Sequence, residues 1–165
     1  MTILLLTGIS GTGKSTLTQA LNDKDVKAID LDTPEWSMWT KDIQTPIELG
    51  PPVKEDSDWI WDEIKVKNLL NSHKNEHLIL SGCAENMGEF LPYFDRIIVL
   101  TVSTDVLTHR LQNRTTNQYG KDSLELERIL KQKETIEPLL KTLSDIELDT
   151  DRQLESLIQR ILSYI

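Results

Sequence analysis

The sequence predicts an α/β fold in three layers, α/β/α, with a five-stranded parallel sheet at its centre. Three observations carry this. Short apolar runs alternate along the chain with longer segments whose apolar residues recur at helical spacing. The first apolar run passes directly into a glycine-rich turn and then a helix, ILLLTGISGTGKST over residues 3–16. Finally, 165 residues with 38% hydrophobic and 27% charged content suit one domain, 1–165, with a single well-buried core.

In order, residues 2–7 form the first strand, and the helix after the glycine turn runs from 14 to about 21. Residues 26–31 form the second strand, ending in Asp30-Leu31-Asp32. A helix over about 62–73 sets Ile64, Val66, Leu69 and Leu70 on its apolar face. Residues 77–81 are the third strand, closed by Gly82, and a short helix through Met87 and Phe90 leads to the fourth, 96–102. Ser103 or Thr104 caps the next helix, on which Val106, Leu107 and Leu111 repeat. Ser123, with Glu125 and Glu127, opens a helix to about 140 that Pro138 kinks near its end. Residues 145–148 are the fifth strand and 152–162 a closing amphipathic helix. No repeat or low-complexity linker interrupts the pattern.

Bulk properties exclude several functions. A formal charge of −9 argues against a nucleic-acid partner, whose phosphates must be met by Lys and Arg. The single cysteine, Cys83, allows no internal disulfide, fits a reducing compartment, and reads as a small buried residue rather than a nucleophile. No apolar stretch is long enough to cross a bilayer, and the apolar start is too short for a signal peptide. The expectation is a cytoplasmic protein, monomeric or homodimeric, without membrane or nucleic-acid partners.

The chemistry begins at Gly8-x4-Gly13-Lys14-Ser15, a P-loop set between strand and helix. Gly8, Gly11 and Gly13 let the backbone curl so that successive N–H groups face one anion, and the helix dipole adds to the attraction. The loop, from Gly8 through Ser10, Gly11, Thr12, Gly13, Lys14, Ser15 and Thr16, is expected to hold ATP. Lys14 reaches the outer phosphates, and the Ser15 hydroxyl is offered to Mg²⁺.

Asp30 and Asp32 lie two apart at the end of a strand, so both carboxylates can face the P-loop. One can serve Mg²⁺ and the other can take a proton from an attacking hydroxyl; the alternative for Asp32 is a turn former before Thr33-Pro34. The third strand ends in Leu80-Ser81-Gly82, without the acid that motor ATPases carry there, so Asp30 is the substitute. Arg110 and Arg114 share a helix face, and Arg128 follows across a polar segment. Guanidinium groups closing on a triphosphate stabilise charge that grows in the transition state; Arg114 and Arg128 are the candidates, with solvated surface arginines as the alternative.

Two segments exceed the alternating pattern. Residues 33–53 hold four prolines and two tryptophans and read as irregular; residues 114–122 are polar apart from Tyr119 and Gly120. Both project from the carboxyl edge of the sheet, where ligands bind in open α/β folds. Residues 33–75 are therefore read as an insertion and helix for a phosphoryl acceptor, and residues 114–122 as a mobile lid.

The P-loop, Asp-x-Asp after the second strand and Arg-Leu-x-x-Arg before the lid together resemble the shikimate-kinase and adenylate-kinase group of P-loop kinases. The resemblance implies a P-loop NTPase fold and transfer of the ATP γ-phosphoryl group to a small-molecule hydroxyl. It further implies that Arg110 stacks on adenine, Arg114 contacts transferring phosphate, Asp30 serves Mg²⁺ and Asp32 the acceptor. Asp149 and Thr150 fall where such kinases touch adenine, and Gly82, Glu85 and Asn86 where they touch the acceptor, although helix capping explains the last two equally well.

One departure matters. No arginine occurs before Arg96, whereas kinases of shikimate or nucleoside monophosphates hold an anionic acceptor with arginine there. Residues 33–75 instead carry eight acids, five lysines and all four tryptophans, Trp36, Trp39, Trp59 and Trp61. Such a pocket suits a neutral or cationic acceptor with a flat face, read by Asp56, Asp58 or Asp62. Lys41 or Lys54 keeps a monophosphate acceptor open. A nucleoside-monophosphate kinase, a shikimate-kinase-like enzyme and a nucleotide-dependent switch are the rival readings.

Overall fold

The computed structural model describes residues 1–42, 45–48, 58–73, 76–115 and 117–165, with the backbone alone described for 41, 42 and 45–48. In chain order the first elements are β1 (Ile3–Thr7), α1 (Lys14–Asn22), β2 (Ala28–Asp30), β3 (Ser37–Asp42), β4 (Thr45–Glu48), β5 (Asp58–Trp61) and α2 (Glu63–Ser72). There follow β6 (Leu78–Ser81), a 3-10 helix (Glu85–Tyr93), β7 (Arg96–Thr101), α3 (Thr104–Asn113), α4 (Ser123–Thr135), α5 (Glu137–Leu143), β8 (Ile146–Asp149) and α6 (Leu154–Leu162).

Five strands make one parallel sheet in the order β2-β6-β1-β7-β8. Central β1 is buried on both faces, which is why it reads as an unbroken apolar run. Alternate residues feed two cores. Leu5, Leu78, Leu80, Ile97 and Val99 meet Val66, Leu70, Leu107, Ile129 and Leu140 of α2 to α5 on one face. Leu4, Leu6, Ile79, Ile98 and Leu100 meet Leu17, Leu21, Leu157, Ile158 and Ile161 of α1 and α6 on the other. This is the predicted three-layer α/β/α arrangement around a five-stranded parallel sheet. Between β6 and β7 the chain order splits around β1, and the crevice at that split receives the P-loop.

Two expectations need correction. Part of the segment read as irregular forms β3 and β4, which with β5 make a second, antiparallel sheet in the order β4-β3-β5. Pro46 lies on edge strand β4, where a missing N–H disturbs least. The register sets Ser37 opposite Trp61 and Trp39 opposite Trp59, so these four share one face. The single helix expected from Ser123 is two, α4 and α5, joined at Ile136, with Pro138 in the first turn of α5, where its ring is tolerated.

Candidate active site

The P-loop leaves β1 at Thr7 and enters α1 at Lys14. Gly11 shows best why glycine is needed: its φ is +86°, and a Cβ there would stand 2.6 Å from Leu107 Cδ1 of α3. Thr12 closes the turn, its hydroxyl donating to the Ile9 carbonyl (2.8 Å). The first turn of α1 carries no acidic side chain, so its positive dipole end is left for an anion. Ser10 is half-buried in the loop, and Thr16 is exposed in that first turn.

Lys14 is nearly buried. Its Nζ donates to the carbonyls of Gly8 (2.7 Å) and Ile9 (3.2 Å) and lies 3.6 Å from Asp32 Oδ2. Ser15 Oγ donates to Asp30 Oδ2 (2.6 Å), so hydroxyl and carboxylate stand side by side at the mouth of the loop. These are hard oxygen donors suited to Mg²⁺, which retains waters and phosphate oxygens and needs only one or two protein groups. Among the described residues, no group of three or more His, Cys, Asp and Glu could hold a metal alone. The chemistry of the donor set therefore fits a magnesium ion brought in with a nucleotide. At the end of β6, where the acid of motor ATPases is missing, buried Ser81 shares a 2.8 Å hydrogen bond with Thr18 of α1.

Asp32 is the centre of the site. The Cys83 N–H donates to both its oxygens (3.0 and 3.1 Å), and the indole N–H groups of Trp59 and Trp61 each approach Oδ1 at 3.4 Å. Burial pushes its pKa above the ordinary aspartate value, with Asp30 adding to the rise while Lys14 and the Cys83 N–H pull it down. Gly82 makes this crowding possible: a Cβ there would lie 2.9 Å from both Asp32 Oδ1 and Trp61 Cζ2. Gly82→Ala should cost about 1–3 kcal/mol of stability, measurable by urea unfolding.

Arg110 of α3 and Arg114 at its C-terminal end reach the loop after β8 and the P-loop. Arg110 donates to Thr150 Oγ1 (3.0 Å) and to the Thr150 carbonyl (2.7 Å), and Thr150 Oγ1 in turn donates to the Thr12 carbonyl (2.8 Å). The loop after β8 is thus tied to the P-loop, with Asp149 exposed beside it, its Oδ1 accepting from the Asp151 N–H. Arg114 Nη2 donates to Ser10 Oγ (3.3 Å) and to the Tyr119 carbonyl. Its Nε is buried without a partner among the described residues, and burial draws its pKa down, opposed by Glu125 and Tyr119. A buried unpaired N–H calls for an acceptor, and this one belongs to a side chain that already reaches the P-loop at Ser10. Arg114→Lys, which loses the planar fork, should lower turnover by roughly a hundredfold in steady-state assays.

Several contacts tie the described part of the segment read as a lid, residues 117–122, to α3 and α4. The Gly120 N–H donates to Glu125 (2.8 Å), Gly120 is pressed against Ile129 and Leu111, and Asp122 caps α4. Glu125 was legible only as a first-turn acid. Arg128 of α4, expected over the triphosphate, lies over the ring of Trp39, 5.9 Å from its centroid.

The tryptophans divide. Trp39 and Trp59 pack at 5.1 Å with their planes tilted by 57° and remain partly open. Trp36 is half-buried against the main core. Trp61, expected to line the acceptor pocket, is instead fully buried against Phe90. Asn86, expected to touch the acceptor, is clamped to the Trp61 backbone, accepting from its N–H and donating to its carbonyl (both 2.9 Å). Glu85 is exposed at the start of the 3-10 helix, and Asp62 caps α2. Lys54, Asp56 and the Lys41 side chain lie outside the described residues.

The sequence marks Cys83 only as a thiol, whereas its N–H is what holds Asp32. The thiol itself is pushed up to about 11, chiefly by burial. Cys83 should therefore react with Ellman's reagent at neutral pH far more slowly than free cysteine.

Residues 4–135 match the AAA domain family. The chain belongs to that family. In keeping with it, the P-loop is its most complete motif, while the acid-free end of β6 sets this member apart from motor ATPases. Among solved structures it is similar to a shikimate kinase from Acinetobacter baumannii in complex with shikimate (18% identity, TM-score 0.64, covering 99% of this chain and 92% of that one). It is also similar to a shikimate kinase from Bacteroides thetaiotaomicron (22%, 0.61, 99% and 97%) and to a gluconokinase from Sinorhizobium meliloti 1021 (16%, 0.56, 98% and 90%). At these identities the likeness is one of fold. No curated protein matches the chain at a significant level. No helix among the described residues is long and apolar enough to cross a membrane.

Proposed function

We propose that the protein is an ATP- and Mg²⁺-dependent kinase that moves the γ-phosphoryl group to a hydroxyl of a small, neutral acceptor. The observation that carries this reading is the 3.6 Å separation of Lys14 Nζ and Asp32 Oδ2. A phosphate-gripping cation and a proton-accepting carboxylate face one point, where phosphorus and an attacking oxygen must meet.

In this reading the P-loop N–H groups and Lys14 bind the phosphates of ATP, and Arg110 and Thr150 border the base. Ser15 and Asp30 hold Mg²⁺, which supplies neutralisation of phosphate charge. Asp32 orients the acceptor hydroxyl and takes its proton as the new O–P bond forms and the β–γ bridge breaks, releasing ADP. Arg114 donates to the oxygens on which charge grows. Because Asp32 works deprotonated and its pKa is raised, kcat/KM should climb with pH through a midpoint above the ordinary aspartate value.

The acceptor pocket lies between Trp59, Trp39 and Asp32. Arg128 already covers Trp39, a fixed positive charge that disfavours cationic acceptors and leaves a neutral hydroxyl compound. The same arginine favours one second reading, an acceptor with an acid group, as shikimate kinases take. ADP release measured against a panel of neutral, amino and carboxylate alcohols separates the two. Turnover with neutral alcohols, little changed in Arg128→Ala, supports the first; turnover confined to carboxylates and lost in Arg128→Ala supports the second.

A further inference from the structure

The loop after β8 is joined to the P-loop through a single buried side chain, and that join takes in Arg110. Resting on the kinase reading and going one step into its nucleotide site, we propose that Thr150 is a positioning residue. Its hydroxyl fixes the Arg110 guanidinium beside the P-loop, so that the guanidinium meets the nucleoside while the loop holds the phosphates.

Thr150 is 3% exposed and β-branched, so its hydroxyl keeps one direction. Its own N–H donates to the Thr101 carbonyl at the end of β7 (2.8 Å), which fixes the backbone. Oγ1 accepts from Arg110 Nη1 at 3.0 Å and donates to the Thr12 carbonyl at 2.8 Å, with the Thr101 carbonyl farther off at 3.1 Å. A hydroxyl has one hydrogen to give, so this one is committed on both sides. Arg110 Nη2 donates to the Thr150 carbonyl at 2.7 Å. Both terminal nitrogens therefore end on one residue, and the plane of the guanidinium is held in one orientation.

The join spans three elements. Arg110 comes from the last turn of α3, Thr150 from the residue after β8, and Thr12 from the P-loop. A Cβ built on Gly13 would have Arg110 Nη1 3.8 Å away, so the guanidinium stands beside the point where the P-loop enters α1. An arginine that served only the end of α3 would turn to that helix's own last carbonyls, whereas Arg110 reaches across to Thr150. Arg110 itself is only half-buried. With both terminal nitrogens spent on Thr150, it has a flat charged face rather than a fork to offer a nucleotide.

The test is calorimetry of ADP–Mg²⁺ and of pyrophosphate–Mg²⁺ on the full chain, since pyrophosphate carries the two phosphates of ADP without the nucleoside. The readout is the ratio of the two affinities. Thr150→Val, which keeps the shape and loses the hydroxyl, should lower that ratio about tenfold, and Thr150→Ser should restore it. Arg110→Ala should lower it as well, and adding Thr150→Val to Arg110→Ala should lower it no further. A ratio unchanged in Thr150→Val, because both ligands weaken alike or neither does, overturns the proposal. So does a Thr150→Ser ratio no better than that of Thr150→Val, or a further fall in the double variant. Should Thr150→Val not fold, Arg110→Lys decides, because it alters a half-buried side chain and keeps the charge without the two-nitrogen grip on Thr150. Its ratio falls if the proposal holds and stays at the wild-type value if it does not. These measurements need no acceptor. A protein that shows the change in ratio yet phosphorylates nothing loses the kinase reading and keeps this one; a protein that phosphorylates an acceptor with the ratio unmoved loses only this one.

Discussion

Lys14→Ala should reduce phosphoryl transfer by a thousandfold or more, roughly the scale seen when one preorganised charge is removed from a phosphate site. The effect is large because Lys14 does two things that no neighbour replaces. Its ammonium is the cation aimed into the curl of the loop, and it is held there by the Gly8 and Ile9 carbonyls rather than by a flexible ion pair. It also stands 3.6 Å from Asp32, offsetting part of the cost of a charged carboxylate in a partly buried setting. The variant should still fold, since the cores under β1 rest on Leu4, Leu5 and Leu6. Calorimetry should therefore show weakened ATP–Mg²⁺ binding in a protein with a normal urea midpoint. Unchanged kcat/KM in Lys14→Ala would remove the phosphate-cradle assignment.

Asp32→Asn should lower kcat by roughly a hundred- to ten-thousandfold while leaving ATP binding near its wild-type strength. Asn keeps the shape and can still accept the Cys83 N–H, so what is lost is the proton acceptor. Stability should move the other way. The folded-state pKa of Asp32 is raised, so the folded protein binds its proton more tightly than the unfolded chain does. The charged form therefore costs stability above the raised pKa, and that cost is relieved as pH falls through it. Asp32→Asn, a permanent mimic of the neutral form, should melt at or above the wild-type temperature at neutral pH. A variant that is both inactive and clearly less stable would show Asp32 to be a structural anchor.

Much of the fold was legible because its signals are local. Ile3 to Leu6 is an unbroken apolar run since β1 lies between two strands and two helical layers, and the glycine turn after it has few other uses. Asp30 and Asp32 could be placed beside that turn by the two-residue period of a strand. The second sheet was obscured by prolines, one of which the edge position of β4 tolerates. Its signal was the alternation of Ser37 with Trp39 and of Trp59 with Trp61, which the register of β3 and β5 turns into one aromatic face. Nothing local says that Trp61 closes on Phe90 while Trp59 stays partly open, or that Asn86 clamps β5. Those facts depend on how the small sheet docks against the 3-10 helix, a contact between segments far apart in sequence. The position of Arg128 depends on packing in the same way: its spacing along α4 marks a lid-side arginine, but only packing sets it over Trp39.

The most direct test of the whole account is ADP release from ATP–Mg²⁺ by the wild-type protein, measured with and without a panel of small hydroxyl compounds. The account predicts slow release alone and a large, saturable increase with particular acceptors, accompanied by phosphorylated product. Release at the same rate whatever acceptor is added, with inorganic phosphate as the only product, would contradict it and mark the protein as a nucleotide-hydrolysing switch.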